Sequence, residues 1–195
     1  MPDKCRPPWN GIYNASPTQI NALVPGSVAP GTVRVVAQVN GVSGSPFAIT
    51  AQAAQPAVYA PPNADGSTFF VTAALAGTAT LVGNSVTDPR VVRPVYPGDT
   101  LDLYMIGLGS TLDPTNFITG QVFSGAFPLS APVTATVGGE PAIVWFAGLT
   151  GPGLYLVRIA VPSDLAAGTQ PLQVSVGGIQ TRPSLVLQMA AALQH

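Results

Sequence analysis

Apolar residues along this chain come in short runs, and within many of them they alternate with polar ones. Leu172-Gln-Val-Ser-Val176, Val133-Thr-Ala-Thr-Val137 and Leu101-Asp-Leu-Tyr-Met-Ile106 are the clearest cases, and Tyr155, Val157, Ile159 and Val161 share one phase of a further run. A period of two places successive side chains on opposite faces of a β-strand, one buried and one wet. Ala142-Ile-Val-Trp-Phe146 and Leu75 to Val82 are apolar runs of strand length, bounded by small residues and turns. The punctuation between runs is Pro97-Gly98-Asp99-Thr100, Gly107-Leu-Gly109, Gly138-Gly139 and Gly177-Gly178. Paired glycines supply the positive φ of tight hairpins. Residues 56–190 thereby predict roughly seven or eight strands, enough for an immunoglobulin-like β-sandwich.

Composition sharpens this all-β expectation. The 195 residues include 21 Gly and 21 Pro, but only 7 Lys and Arg against 8 Asp and Glu. So low a charge often accompanies disorder or a membrane protein, but disorder requires poverty in apolar residues, and at 47% hydrophobic residues this chain can build a core. Gly, Pro or a charge interrupts every run that might form a membrane helix of about 20 residues. A net charge of −1 without a basic cluster argues against nucleic acid, whose phosphates need a cationic surface. The single cysteine, Cys5, excludes an internal disulfide and reads as an inert thiol. Residues 1–10 read as disordered. Six of the first nine residues are Pro or charged, so no export signal is expected in the chain as written.

An internal repeat organises the sequence. At an offset of 137, Val24 falls on Val161, Pro25 on Pro162, Gly31 on Gly168 and Thr32 on Thr169; Val39 then falls on Val176, Gly41 on Gly178 and Pro46 on Pro183. Each copy reads as three strands: one ending at Val-Pro, a Val-rich run closed by Asn-Gly or Gly-Gly, and a last run, Phe47 to Ala51 or Leu185 to Met189. Two copies of so long a period indicate related domains and not a solenoid. The expected organisation is a partial three-strand unit at 11–55 and a complete sandwich at 56–195. A three-strand unit should not stand alone. Its missing strands are expected in a longer parent chain, or its apolar face (Ile20, Val33, Val35, Val39) is covered by the second domain.

Tyr13-Asn-Ala-Ser-Pro-Thr-Gln-Ile-Asn21, followed by Val24-Pro25, resembles the signature of a C-terminal domain family of large acidobacterial (Solibacter-type) proteins. The resemblance continues through Tyr104, Gly107-Leu-Gly109, Val137-Gly-Gly-Glu-Pro-Ala142, Phe146-Ala-Gly148, Gly153-Leu-Tyr155 and Val161-Pro162. The second half is also similar to IPT/TIG-type immunoglobulin-like domains. The resemblance implies a module of long, exported, multidomain bacterial proteins, with no catalytic residues to carry over. Leu156 and Arg158 depart from the pattern, which favours Gln and Asn there.

Candidate chemistry is sparse. The only histidine is His195, at the very end, which argues against triad or general-base catalysis by imidazole. No set of Cys, His and carboxylate ligands suits zinc, and no dense Asp/Asn loop suits calcium. Neither a cofactor nor a metal is expected. Among carboxylates, Asp99 reads as a turn residue, Asp102 as outward-facing on its strand and Glu140 as solvated in a hairpin. An enzyme would need two of Asp99, Asp102, Asp113 and Glu140 to share a cleft at glycosidase spacing. Trp145 reads as core, and Tyr104 and Tyr155 lie in strands. The segment from Ser110 to Ser130 is long for a sandwich connection and carries Phe117, Phe123 and Phe127. It reads either as an extra hairpin over the sandwich edge or as a ligand-binding loop with those three rings as its contacts.

The expected function is a non-catalytic structural or adhesive module of a secreted or cell-surface multidomain protein. Its expected partners are other domains of a longer parent, with protein or glycan as further possibilities. The alternative is a glycan-binding accessory module, requiring exposed, coplanar rings such as Phe117, Phe123 and Tyr59.

Overall fold

A computed structural model describes residues 12–22, 24, 28–112 and 125–191. The protein is all-β, with no helix among the described residues. It divides into two compact units, the first within residues 12–53 and the second comprising 54–112 and 125–191.

The first unit consists of three two-stranded pieces. β1 (Ile12–Ala15) pairs with β2 (Ile20–Ala22), β3 (Gly31–Val35) with β6 (Phe47–Ala51), and β4 (Gln38–Val39) with β5 (Val42–Ser43). Ser16 shapes the first turn, its Oγ accepting the backbone N–H of Gln19 at 3.0 Å. Asn40 and Gly41 turn the β4–β5 hairpin with φ of 50° and 81°. Two consecutive positive φ values define the type I′ turn whose twist matches that of the strands. Of the apolar positions expected to face a cover, Ile20, Val35 and Val39 are exposed and Val33 is half-buried.

The second unit holds the core. Its strands are β7 (Ala57–Val58), β8 (Phe69–Phe70), β9 (Ala73–Leu75), β10 (Leu81–Val82), β11 (Thr100–Ile106), β12 (Phe127–Pro128), β13 (Val133–Val137), β14 (Glu140–Gly151), β15 (Leu154–Ala160), β16 (Gly168–Val176), β17 (Ile179–Gln180) and β18 (Leu185–Met189). They form one curled sheet in the order β10-β9-β11-β15-β14-β13-β16-β18-β8, with β12 on β14, β17 on β16 and β7 on β11. Two strands serve both halves. β14 pairs with β13 through Glu140–Ala142 and with β15 from Ile143 onward. β16 pairs with β18 up to Pro171 and with β13 from Leu172. Strands that change partner along their length turn a sheet over on itself, so its inner faces meet around one core.

The curl is sewn shut by backbone hydrogen bonds. Val92 and Gly83 exchange bonds with the β10 and Arg93 segments, while Val95 donates to Gln188 and accepts from Ala190 beside β18. The segment around Val92–Val95 therefore joins β10, at one end of the sheet, to β18 beside the other end, which reduces the open edge available for uncontrolled strand pairing. Inside lie Leu101, Leu103, Met105, Val157 and Ile159 from one half, facing Leu172, Val174, Val176, Leu185, Leu187 and Met189 from the other. The sequence alternation anticipates the members from 101–106, 155–161 and 172–176, whose apolar phase is the buried one. One expected strand divides: Leu75 to Val82 is not a single strand but the β9–β10 hairpin, turned at Gly77 with φ 71°. Apolar content alone does not distinguish a strand from two strand ends joined by Ala-Gly-Thr-Ala-Thr.

Candidate functional site

The solvent-facing side of β7, β11, β15 and β14 gathers most of the exposed rings of the second unit. The register fixes the neighbours. Met105 pairs with Val58 and Ile106 with Ala57, which places Tyr59 opposite Tyr104, and the Tyr59 N–H donates to the Tyr104 carbonyl at 3.3 Å. On the other side of β11, Tyr104 is opposite Leu156 and Asp102 opposite Arg158; Arg158 in turn is opposite Phe146 of β14. Directly opposed side chains in a sheet lie about 5 Å apart at Cβ. Tyr59, Tyr104 and Leu156 thus form one row, with Ala74, Asp102, Arg158 and Phe146 forming the next.

Trp145 joins this surface through a β-bulge. Val144 pairs with Ile159 and Phe146 with Arg158, leaving Trp145 as the extra residue. A bulge turns two successive side chains toward the same face. Trp145 is 65% exposed beside Phe146, and Ile143 is exposed as well. This corrects the expectation that Trp145 belongs to the core. Ile143-Val144-Trp145-Phe146 is four apolar residues in a row, and a pleated strand with one buried face cannot bury all four. That run was the available signal; the bulge that resolves it depends on pairing with β15.

The charged groups beside the rings are committed to each other. Asp102 corrects a second expectation: although on the outward phase of β11, it is only 3% exposed. The Arg158 guanidinium donates to its two oxygens at 2.6 and 2.8 Å, and the Gly77 N–H donates at 3.0 Å. Burial pushes the Asp102 carboxyl upward, but the hydrogen bonds from Arg158 and Gly77 outweigh it and hold the group below the usual range. Arg158 is raised correspondingly, chiefly by its hydrogen bonds to Asp102. Asp88, also buried, receives Arg90 Nε at 2.9 Å and Nη2 at 2.7 Å, and the Thr72 hydroxyl at 3.3 Å. The Arg90 hydrogen bonds are the main reason its carboxyl is lowered to about 2. Arg90 also donates to the Tyr59 hydroxyl at 3.2 Å and lies over that ring, so the ion pair helps fix an exposed aromatic. Asp99 accepts two bonds from Arg93 and one from the Tyr96 N–H, as a turn residue should.

Of the other expected candidates, Glu140 is exposed in the β13–β14 hairpin. Tyr155 is half-buried, its hydroxyl donating to the Gly109 carbonyl at 2.7 Å. Phe127 is half-buried in β12, which pairs with the edge of β14 at Gly148 and Leu149. The base of its loop is closed by the Ser130 N–H and hydroxyl donating to the Ser110 carbonyl. Phe117, Phe123, Asp113, Cys5 and His195 lie outside the described residues. Among the described residues no three His, Cys, Asp or Glu side chains cluster to hold a metal ion. Among the same residues there is no helix long and apolar enough to cross a membrane.

No family model, curated protein or solved structure matches the chain.

Proposed function

We propose that this protein is a non-catalytic adhesive or structural module, immunoglobulin-like in character, of a secreted or cell-surface multidomain bacterial protein. The observation that carries the adhesive reading is the strip of exposed Tyr59, Tyr104 and Trp145, with half-buried Phe146 beside them, on an otherwise closed, well-packed sheet. Aromatic rings held on rigid strands give large contact area with little conformational entropy to lose on binding. The buried carboxylates support the non-catalytic part: Asp88 and Asp102 are each occupied by an arginine, which keeps them ionised and in place. The location outside the cell rests on the resemblance to domains of exported proteins.

The second reading, a glycan-binding accessory module, is favoured by the adjacency of Tyr59 and Tyr104, with Trp145 two strands away on the same side. Adjacent rings on rigid strands, carrying tyrosine hydroxyls, suit a saccharide. The two readings separate on a glycan array probed with the purified chain. Saturable binding to a glycan that is lost in Trp145→Ala or Tyr104→Ala, with unchanged melting temperature, establishes the accessory module. Binding to protein ligands alone, lost in the same variants, establishes the adhesive module. Any binding that survives both substitutions removes the aromatic strip as the site.

A further inference from the structure

Strand register runs one line of side chains straight across the outer face of the second unit. Tyr59 lies opposite Tyr104, Tyr104 opposite Leu156, Leu156 opposite Gly148 and Gly148 opposite Pro128. Gly148 has no side chain, and its place in the line is taken by Phe146: a Cβ at Gly148 would stand 2.6 Å from the tip of the Phe146 ring. The line therefore reads Tyr59, Tyr104, Leu156, Phe146 and Pro128. Tyr59, Tyr104 and Pro128 are exposed, and Leu156 and Phe146 are half-buried. Hydrogen-bonded strands are about 4.8 Å apart, so the five positions span about 19 Å. Each strand is also rotated on its neighbour by about 20–25°, which makes the line a twisted ribbon and not a plane.

Charge beside the line is cancelled. Arg90, which donates to the Tyr59 hydroxyl, is paired with buried Asp88, and Arg158, in the next row, with buried Asp102. Ile106 and Leu154, on the same outward phase of β11 and β15 as the line, are exposed and apolar. We propose, resting on the glycan reading above, that the line binds a single neutral, β-1,4-linked polysaccharide chain lying across the strands, one sugar unit to each strand. An extended chain of such hexoses advances about one strand spacing per unit. With its substituents equatorial, each unit turns a flat C–H face to the surface, which rings, leucine and proline cover without any charge. The tyrosine hydroxyls meet the sugar hydroxyls at the ring edge, as donors and acceptors. The twist suits one free chain and not the flat face of a crystal, and the line offers no unpaired cation to an acidic chain. Side chains fixed on paired strands leave little ordering cost to binding.

Titration calorimetry of the whole chain against cello-oligosaccharides of two to six glucose units tests this. Affinity should rise by about tenfold or more from the dimer to the pentamer, then level off because a sixth unit finds no position. Tyr104→Ala should weaken the pentamer by about tenfold or more and Leu156→Ser by about fivefold or more, while Ile143→Ser, exposed and off the line, should leave it unchanged. The length series needs no variant, so it decides the matter even if Leu156→Ser unfolds. Affinity that stays the same from dimer to hexamer, or that is undiminished in a folded Leu156→Ser, overturns the line and leaves a glycan site elsewhere on the aromatic strip. Stronger binding to polygalacturonate than to the pentamer overturns the neutral ligand. No binding of any cello-oligosaccharide overturns the proposal outright. An array glycan lost in Tyr104→Ala would then keep the glycan reading with another saccharide, and a protein ligand lost in that variant would keep the adhesive one.

Discussion

Removing the Asp102 carboxylate tests how the outer face of the sheet is held. Asp102→Ala deletes two charge-assisted bonds from Arg158 and one from the Gly77 N–H. Arg158 is 36% exposed at its side chain and can be rehydrated, so its share of the loss is moderate. A hydrogen bond to a charged group contributes about 1.5–3 kcal/mol, and an orphaned backbone N–H adds about 1–3 kcal/mol where water cannot reach it. The expected cost is therefore about 2–4 kcal/mol, or about 6–12 °C in Tm for a domain of this size. The reverse perturbation should be at least as severe. Arg158→Met leaves a buried carboxylate with only the Gly77 N–H, and unpaired buried charges cost about 3–5 kcal/mol. Because both variants break the same interaction, the double variant should be little worse than Asp102→Ala alone. Urea unfolding of the four proteins should give a coupling energy of about 3–5 kcal/mol, close to the whole cost of Arg158→Met alone. Additivity within about 0.5 kcal/mol would refute the pair as a structural unit and return Asp102 to the list of available carboxylates.

Two further predictions concern acid and glycine. Asp88, at about 2 in the folded state against an ordinary 3.8, binds its proton less readily folded than unfolded. Its contribution is thus fully present above the unfolded value and is lost as pH falls through the folded one. Melting temperature should hold steady from neutral pH to about 5, then decline between about 4 and 2, and Asp88→Asn should flatten that decline. Gly107→Ala should cost about 3 kcal/mol or more, since φ is +73° and a Cβ would collide with the Gln55 carbonyl. Gly139→Ala, at φ +87° with open space around it, should cost only about 1 kcal/mol by the same chemical denaturation.

Much of the architecture follows from local chemistry. Gly138-Gly139 and Gly177-Gly178 demanded hairpins because only glycine adopts two successive positive φ values freely, and both hairpins are present. Alternation in 101–105 and 172–176 named core residues because a strand has two faces, and one of them had to be dry. The repeat could be read because matching hairpin residues recur at a fixed spacing; the β4–β5 and β16–β17 registers follow it, while β16 meets β18 one residue out of step with β3 and β6. Periodicity gives the phase of a residue but not what lies above it. Asp102 is on the outward phase, yet a side chain from β15 and a turn before β10 close over it. Trp145 is in an apolar run, yet the register of β14 against β15 leaves one residue too many and pushes the ring out. The apolar face of the first unit has a core pattern in sequence and a surface exposure in the structure, because burial requires a second layer that its own strands do not supply. Sequence alone determined strands, turns and the inward set of the second unit, all of which depend on neighbours along the chain. Tertiary structure alone decided which outward residues are covered, paired or left to meet a partner, because those states depend on strands far away in sequence.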